Sequence, residues 1–417
     1  MYNRRSYIVY LTIQGAFSLF FTLITTVNLV YQAQAVHLTP LQLVLVGTVL
    51  ETACFISQVP TGIFADIYSR RWSVIIGMFL IGAGFTLEGS IPLFITVLLS
   101  QVIWGVGSSF VDGALEAWIA DEVGEDNIGH TFMRGGQVGQ LAGLIGIVAS
   151  VAIASIQLNL SIISGGLLFI TLSIFLLFTM PEHHNQASTP TEPPSWKSFI
   201  ATALAGGHLV RRSPILLIIV TISVFFGMSS EGMDRLWVAH LLNNIHVPGL
   251  AFLKPVVWFG IIQIVSLALA TVALEIMRRR INTRNHSVVV GAQLALNILR
   301  VACILLFALT GNFIIAILAL WGANITRQLN GPLYGAWLAQ NIDPKVRATI
   351  MSFNSQLDAC GQILGGPLVG WIGNFSLRAA LALTSLLLAP VLPLYAWSGR
   401  KGAQAATREE PPTSIPT

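Results

Sequence analysis

The sequence predicts an all-α, polytopic membrane protein with twelve transmembrane helices, and three observations lead to that fold class. Hydrophobic residues make up 54% of the chain and charged residues only 10%, whereas a soluble domain carries about 25% charged residues. The apolar residues form twelve stretches with the roughly 20 residues that a helix needs to cross a bilayer core of about 30 Å. The stretches fall into two sets of six that resemble each other.

The twelve predicted spans are separated by short connectors. They cover residues 6–32, 40–65, 72–90, 92–120, 131–156, 159–180, 213–241, 250–277, 286–309, 311–340, 345–373 and 376–398. The first apolar stretch follows Arg4 and Arg5 and so resembles a secretory signal peptide. It is too long for the apolar core of such a peptide and lacks a cleavage site. We therefore interpret it as the first span.

A polar, proline-rich segment divides the spans into two sets of six. The predicted organisation is an N-terminal six-helix half at 1–180, a cytoplasmic linker at 181–212, a C-terminal six-helix half at 213–400 and a disordered cytoplasmic tail at 401–417. Proline-rich and polar composition is typical of linkers and of unfolded tails. His183 and His184 lie in the linker, where adjacent histidines are usually solvated. We predict neither a metal site nor a cofactor.

The two halves also show internal similarity. Three pairs of segments recur at matching positions: AWIA at 117–120 with AWLA at 336–339, GQLAG at 139–143 with GQILG at 361–365, and the loop at 66–71 with a weaker copy at 275–280. Parallel repeats of this kind predict two six-helix pseudo-repeats.

The distribution of Lys and Arg predicts that both termini are cytoplasmic. With this orientation seventeen of these residues fall on the cytoplasmic side, against Lys254 and Arg378 outside. Cytoplasmic loops of membrane proteins carry this excess of positive charge. The net charge of +4 is spread over the loops, which argues against a nucleic-acid partner. The sequence thus predicts a multi-pass protein of the inner (cytoplasmic) membrane, surrounded by lipid.

A short polar hairpin follows the second span. It places Asp66 near the end of one apolar stretch and Arg70 and Arg71 directly before the next, and its small residues Gly62 and Ser69 permit close backbone approach. One interpretation is a basic turn that obeys the positive-inside rule. The pattern also resembles Gly-x-x-x-Asp-x-x-Gly-Arg-Lys/Arg, the signature between helices two and three of the major facilitator superfamily of transporters. Ser69 replaces the second glycine.

This resemblance implies a gate. In the superfamily the loop arginine commonly pairs with an acid at the end of span four. The loop acid lies by the start of span eleven and helps to lock the two halves while the cavity faces outward. The resemblance therefore implies gating roles for Asp66, Arg70 and Arg71, with Asp121 as a partner, and a protein that works as a monomer. The alternative is solvated surface charge.

Ionisable residues inside the spans need an explanation, because one at the bilayer centre costs about 2.5–3.5 kcal/mol. A carboxylate in a partly dehydrated cavity can take up and release a proton as its surroundings change. We predict proton-coupling roles for four acids: Glu51, Asp112, Glu116 and Asp358. Asp112 and Glu116 are four residues apart and so share a face of a continuous helix. The alternative is internal ion pairs, for example Arg134 with Asp112 or Glu116.

Other polar and aromatic residues in the spans are candidates for substrate binding. They are Arg300, Arg327, Asn324, Glu231, Asp234, Arg235, Trp237 and Tyr334. The arginines could pair with the acids or contact an anionic substrate group, and Glu231 can reach Arg235 across one helical turn. Aromatic walls would suit amphiphilic, neutral or cationic compounds; we include Trp104, Trp118, Trp321 and Trp337 among them. Tryptophan also anchors helices at membrane interfaces.

The segment 113–122, together with Glu51 ahead of Pro60-Thr61-Gly62, resembles the bacterial branch that contains macrolide-efflux-like and tetracycline-resistance-like exporters. This resemblance implies a secondary active exporter of small amphiphilic molecules that works by proton antiport. Two features depart from it: Gln101 stands where many proton-driven members carry arginine, and the glycines of span five lack an accompanying proline. The alternatives are a proton-coupled importer of a small metabolite and a receptor-like member that transports nothing. The sequence has no nucleotide-binding loop or catalytic triad, so it predicts neither an ATP-driven pump nor an enzyme.

Overall fold

The computed structural model describes residues 4–182, 207, 210, 213–245, 255–342 and 346–399. These residues are helical with short turns, and no β-strand occurs among them. Most of the predicted linker, with His183 and His184, lies outside the described residues. So does the predicted tail at 401–417.

The helices follow the predicted order of spans. They are α1 (Arg4–Gln34), α2 (Pro40–Ile67), α3 (Arg70–Ser90), α4 (Phe94–Val111), α5 (Ala114–Val123), α6 (Glu125–Ala154), α7 (Leu158–Thr179), α8 (Pro214–Asn244), α9 (Pro255–Arg280), α10 (His286–Leu309), α11 (Phe313–Asn341), α12 (Arg347–Gly373) and α13 (Leu377–Leu388). A further helical stretch covers residues 391–399. The predicted all-α fold class is confirmed.

Within the described residues, ten helical segments are long and apolar enough to cross a membrane, and α4 with α5 counts as one of them. Two further long helices, α11 and α12, do not reach this hydropathy. Polar residues interrupt both of them, and several of these residues line the cavity described below. A low hydropathy here reflects polar lining, because membrane proteins keep polar groups in spans where they face an interior space.

The prediction that the fourth span is one continuous helix is wrong. The helix ends at Val111 and restarts at Ala114, because Gly113 adopts a φ of +75° that interrupts helical geometry and that glycine tolerates without a steric penalty. The twelfth span is also interrupted, after Leu388. Pro390 lies two residues further along, and proline lacks the amide hydrogen that a helix interior requires.

The chain forms two compact units with the same internal packing pattern. The first comprises Met1–Ala201 and Pro248–Ile264, and the second Thr202–Val247 and Val265–Thr417. In the first unit α1 packs on α6 and α7, and α3 packs on α4 and α7. In the second unit α8 packs on α12 and α13, and α10 packs on α11 and α13. Five helices of each unit therefore pack in equivalent ways, as expected for the two parallel six-helix pseudo-repeats of the predicted fold class.

Small residues bring the helices of each unit close together. In the first unit the Ser18 hydroxyl on α1 donates to the Gly139 carbonyl on α6 at 2.7 Å, and Ser150 and Ser161 both donate to the carbonyl of Leu23. Between membrane helices such packing and interhelical hydrogen bonds replace the hydrophobic effect as the source of association.

Candidate functional site

The second unit contains a cavity of about 320 Å³ between helices α8, α10, α11 and α12. All of its lining residues belong to this unit. Its volume falls at the lower end of the range typical of small-molecule sites. The cavity is therefore the candidate functional site.

Helix α11 contributes one polar face to the cavity. Arg327, Asn330, Gly331 and Tyr334 all line it, and their spacing of three, four and seven residues places them on one side of a helix. The Tyr334 hydroxyl lies 2.9 Å from Oδ1 of Asn354 on α12 and 3.2 Å from the Ile219 carbonyl. These contacts hold the phenol ring in a fixed orientation against its neighbours.

Helix α12 contributes a second polar face, most of which the sequence analysis missed. Asn354, Ser355, Asp358 and Gln362 line the cavity, and of these only Asp358 was among the predicted residues. Three of them recur at intervals of four residues, which is a helical stripe. That stripe of polar residues in an otherwise apolar span was the signal available in the sequence.

Glycines allow α8 and α12 to approach closely and so fix the position of Asp358. A side chain on Gly227 would collide with the Asp358 carbonyl, and one on Gly361 would collide with the Val224 carbonyl. The Ser223 hydroxyl on α8 donates to the Asn354 carbonyl at 3.0 Å. The backbone beside Asp358 is thus held tightly between the two helices.

Three charged side chains line the cavity, and they differ in their partners. Arg327 forms an ion pair with Asp234 of α8. Asp358 accepts a hydrogen bond from Gln362 Nε2 at 2.9 Å. Arg300 of α10 is only 5% exposed, and it makes no hydrogen bond or ion pair with any described residue. Its guanidinium carbon lies 5.7 Å from the ring centroid of Phe226, within the range of a cation–π contact.

The remaining predicted substrate residues lie elsewhere in the second unit. Arg235 and Glu231 form the ion pair that their spacing indicates, with 3.4 Å between Nε and Oε2. Trp237 and Asn324 are half-buried and do not line this cavity.

The expected aromatic wall is largely absent from this cavity. Trp337 is completely buried and contacts the rings of Tyr334 and Tyr395, and Trp118 is 2% exposed in the core of the first unit. The aromatic lining consists of Phe226 and Tyr334. Residue type alone had pointed to the tryptophans, but their burial makes these two core residues.

The predicted acids of the first unit lie on α2 and around the break in the fourth span. Glu51 is half-buried on α2, and Asp112 and Glu116 are exposed on either side of Gly113. The break replaces the continuous helical face expected for this pair. The suggested pairing of Arg134 with either acid is also wrong, since Arg134 donates to Gln137 Oε1 at 3.2 Å.

A buried carboxylate that the sequence analysis missed lies in the first unit. Glu88 of α3 is 0% exposed. Its oxygens accept hydrogen bonds from Gln32 at 2.8 Å, Ser100 at 2.9 Å and Gln101 at 3.1 Å. The Glu88 network ties α1, α3 and α4 together.

The structure brings two of the predicted gate residues together at the hairpin between α2 and α3. Arg70 forms an ion pair with Asp121 and also donates to the Ala117 carbonyl at 3.2 Å. Arg71 donates to the Leu177 carbonyl near the end of α7 at 2.6 Å, where the helix dipole favours a cation. Asp66 is exposed at the end of α2.

In the equivalent loop of the second unit, the charged side chains pair with each other within a single helix. Glu275 pairs with Arg278 at 2.8 Å and with Arg279 at 2.6 Å, all within α9. The hairpin of the first unit instead connects separate helices. The two loops therefore resemble each other in sequence but differ in the contacts that they make.

Comparison with known proteins adds family and fold information. The model of the Major Facilitator Superfamily matches residues 8–355. An uncharacterized MFS-type transporter of Bacillus subtilis (strain 168), YxaM, is 24% identical over 363 residues, which cover 85% of this chain and 86% of that protein.

Solved structures share the fold at low identity. The nucleoside transporter NupG superposes with a TM-score of 0.74 at 14% identity, covering 94% of this chain and 98% of that one. A bacterial homolog of the human lysosomal transporter Spinster, in an inward-facing and unoccupied conformation, superposes with a TM-score of 0.75 at 14% identity. The match covers 97% of this chain and 99% of that one. A POT family transporter in complex with 5-aminolevulinic acid superposes with a TM-score of 0.71 at 14% identity. The match covers 95% of this chain and 96% of that one.

Proposed function

The chain belongs to the major facilitator superfamily, and on this premise we propose that it is a proton-coupled secondary active transporter of a small organic molecule. The observation that carries the proposal is the cavity of the second unit, which is lined by the carboxylate of Asp358 and by Arg300, an arginine with no hydrogen-bond or ion-pair partner among the described residues. Keeping both charges in spans is costly unless they serve a solute or an ion. The protein would work as a monomer in the bacterial inner membrane with both termini cytoplasmic.

Asp358 is the proposed proton carrier. It lines the cavity, where it can exchange a proton with a solvated interior. The charges that act on it are Arg300 from α10, Arg327 from α11 and Asp234 from α8. Substrate binding or a change in access would alter this field and with it the proton affinity of the carboxylate. Glu51, Asp112 and Glu116 are proposed to carry protons along the first unit.

Two directions of transport are candidates. Export by proton antiport of a small amphiphilic molecule is supported by the resemblance of the fourth span to drug exporters. Uptake by proton symport is supported by the cavity, because protonation of Asp358 removes a negative charge beside a bound anion. A proton and an anion would then favour each other's binding. Arg327 and Asp234 would adjust this balance, and Asn324, Glu231, Arg235 and Trp237 are proposed to contact substrate at other stages of the cycle.

The hairpin between α2 and α3 is the proposed gate. The ion pair of Arg70 with Asp121 and the bond of Arg71 to Leu177 anchor the hairpin within the first unit. Asp66 is left exposed beside them and would make the contact that opens and closes during transport.

Reconstituted vesicles test the proposal. We would purify the protein, reconstitute it, impose a pH gradient and follow internal pH with a trapped dye while adding a panel of drugs, carboxylates and nucleosides. The expected result is proton movement that depends on one class of compound, opposite to substrate flow for antiport and with it for symport. Asp358→Asn should abolish this response, while Asp126→Asn, which neutralises an exposed acid on α6, should not. No proton movement with any compound would contradict the proposal and favour a receptor-like protein.

A further inference from the structure

One wall of the cavity in the second unit carries an almost completely buried cation, the guanidinium of Arg300. Arg300 is 5% exposed, yet its guanidinium makes no hydrogen bond or ion pair within the described part of the chain. A buried guanidinium carries five N–H donors in a planar fork that matches an oxyanion. Buried charges in proteins are usually paired, so this side chain has an open position for a partner.

The neighbouring charges are already engaged with other residues. Arg327 is paired with Asp234, and Asp358 accepts a hydrogen bond from Gln362 at 2.9 Å. Asp358 and Arg300 form no ion pair with each other, so their charged groups lie beyond ion-pair distance. Arg300 is therefore a cation of the cavity wall that has no ion-pair partner among the described residues and can bind an anion from outside.

The surroundings of Arg300 limit the body of such a ligand. The Phe226 ring lies 5.7 Å from the guanidinium carbon, and Tyr334 packs edge-on against Phe226 with 6.2 Å between ring centroids. These rings offer an apolar surface next to the charge. A volume of about 320 Å³ accommodates a small organic molecule and excludes a polymer.

We infer that this cavity is a selective site for a small organic oxyanion, a carboxylate or phosphate monoester, whose charged group binds the Arg300 guanidinium and whose apolar body lies against Phe226 and Tyr334. The inference rests on the proposed function in that it takes this cavity as the transporter's substrate site. The tryptophans of the sequence had suggested a neutral or cationic substrate. The inference is that the substrate is an anion instead.

Saturation-transfer-difference NMR tests the inference without requiring transport. The protein is placed in lipid nanodiscs and offered three ring probes of similar shape: benzoate, benzamide and benzylammonium. Phenyl phosphate in a parallel sample distinguishes the two oxyanions. We expect a signal for at least one of the oxyanions that is at least tenfold stronger than for benzamide and benzylammonium.

Variants assign the signal to Arg300. Arg300→Gln should reduce oxyanion binding at least tenfold, and Arg300→Lys, which keeps the charge but loses the fork, should weaken it less and preserve selectivity over benzamide. Arg284→Gln removes an exposed arginine and should change nothing. The lysine variant tests the inference even where the glutamine variant fails to fold.

Three results would overturn the inference: equal binding of benzamide, no binding of either oxyanion, or full oxyanion binding by Arg300→Gln. Failure of the two proposals can be distinguished. Selective oxyanion binding without proton movement in vesicles would leave the inference standing and contradict the proposed transport. Proton-coupled transport of neutral compounds without oxyanion selectivity would do the reverse.

Discussion

The Glu88 network in the first unit and the cavity around Arg300 in the second show two ways of placing a charge inside a membrane-spanning helix. Glu88 is 0% exposed and accepts hydrogen bonds from three side chains on two neighbouring helices. Arg300 is 5% exposed but has no such partner among the described residues and borders a cavity. A buried charge whose hydrogen bonds are supplied by the protein joins helices, whereas one that faces a cavity is suited to binding a ligand.

Substituting Glu88 and substituting Arg300 should change the stability of the protein differently, because the two side chains differ in the hydrogen bonds that would be lost. A buried donor left without an acceptor costs about 1–3 kcal/mol, so the network around Glu88 contributes to stability. Arg300 makes no hydrogen bond within the described part of the chain that a substitution could break. Neutralising it should remove a buried charge that lacks a direct ion pair, at the loss of its contact with the Phe226 ring.

The largest expected effect is on transport by Arg300→Gln. Removing one partner of a buried, hydrogen-bonded charge pair costs about 2–5 kcal/mol of binding, which corresponds to a loss of roughly 30-fold or more in affinity. We expect substrate counterflow to fall by at least this factor while the melting temperature stays the same or rises. Counterflow at the wild-type rate would break the comparison, because Arg300 would then have no ligand role.

Asp358→Asn should separate substrate movement from proton coupling. The amide can keep a hydrogen bond with Gln362 but cannot exchange a proton. We expect substrate counterflow within about threefold of wild type and proton-driven accumulation reduced at least tenfold, a loss of more than about 1.4 kcal/mol of coupling. Asp358→Glu is the matched control and should retain part of the accumulation. Unchanged accumulation in the asparagine variant would exclude Asp358 as the proton carrier.

Glu88→Ala should act mainly on stability. The substitution removes the shared acceptor of Gln32, Ser100 and Gln101, which keep only their second acceptors Asn28, Val97 and Ser100, at a cost of about 1–3 kcal/mol. We expect a clear decrease in melting temperature, measured in detergent, with transport per folded molecule within about threefold of wild type. A variant that melts normally but has lost proton-driven transport would make Glu88 part of the coupling route instead.

The smallest overall effect is expected at the hairpin. Arg70 and Asp121 are partly exposed, with side-chain accessibilities of 31% and 42%, so breaking their pair should cost less than about 1 kcal/mol. Arg70→Gln, Asp121→Asn and Asp66→Asn should each slow transport several-fold without lowering expression. The Arg70→Gln/Asp121→Asn double variant should be no slower than either single variant. Additive losses, or normal rates in all of them, would remove the hairpin from the gating scheme.

The fold could be predicted from the sequence because the bilayer imposes a strong pattern: every span needs about 20 largely apolar residues. The break at Gly113 could not, because a glycine within a helical pattern shows its positive φ only in three dimensions. Polar groups in spans are rare, and this made four residues that line the cavity recognisable as candidates: Arg300, Arg327, Tyr334 and Asp358.

Other parts of the two sites depend on contacts between helices. Glu88 accepts hydrogen bonds from Gln32 on α1 and Gln101 on α4. These contacts depend on how the helices pack and so could not be predicted from the sequence. The burial of Trp118 and Trp337 likewise follows from packing. Residue type could not separate a tryptophan of the core from one that lines a cavity.

The most direct test of the distinction between the two buried charges measures Arg300→Gln and Glu88→Gln side by side. Both replacements neutralise a charge with little change in size, and both variants would be assayed for melting temperature and for substrate counterflow in the same vesicles. The account predicts opposite patterns: Arg300→Gln melts like the wild type but loses counterflow at least 30-fold, and Glu88→Gln melts earlier but keeps counterflow. If both variants lost stability and transport together, the distinction between a structural and a ligand-binding charge would be contradicted.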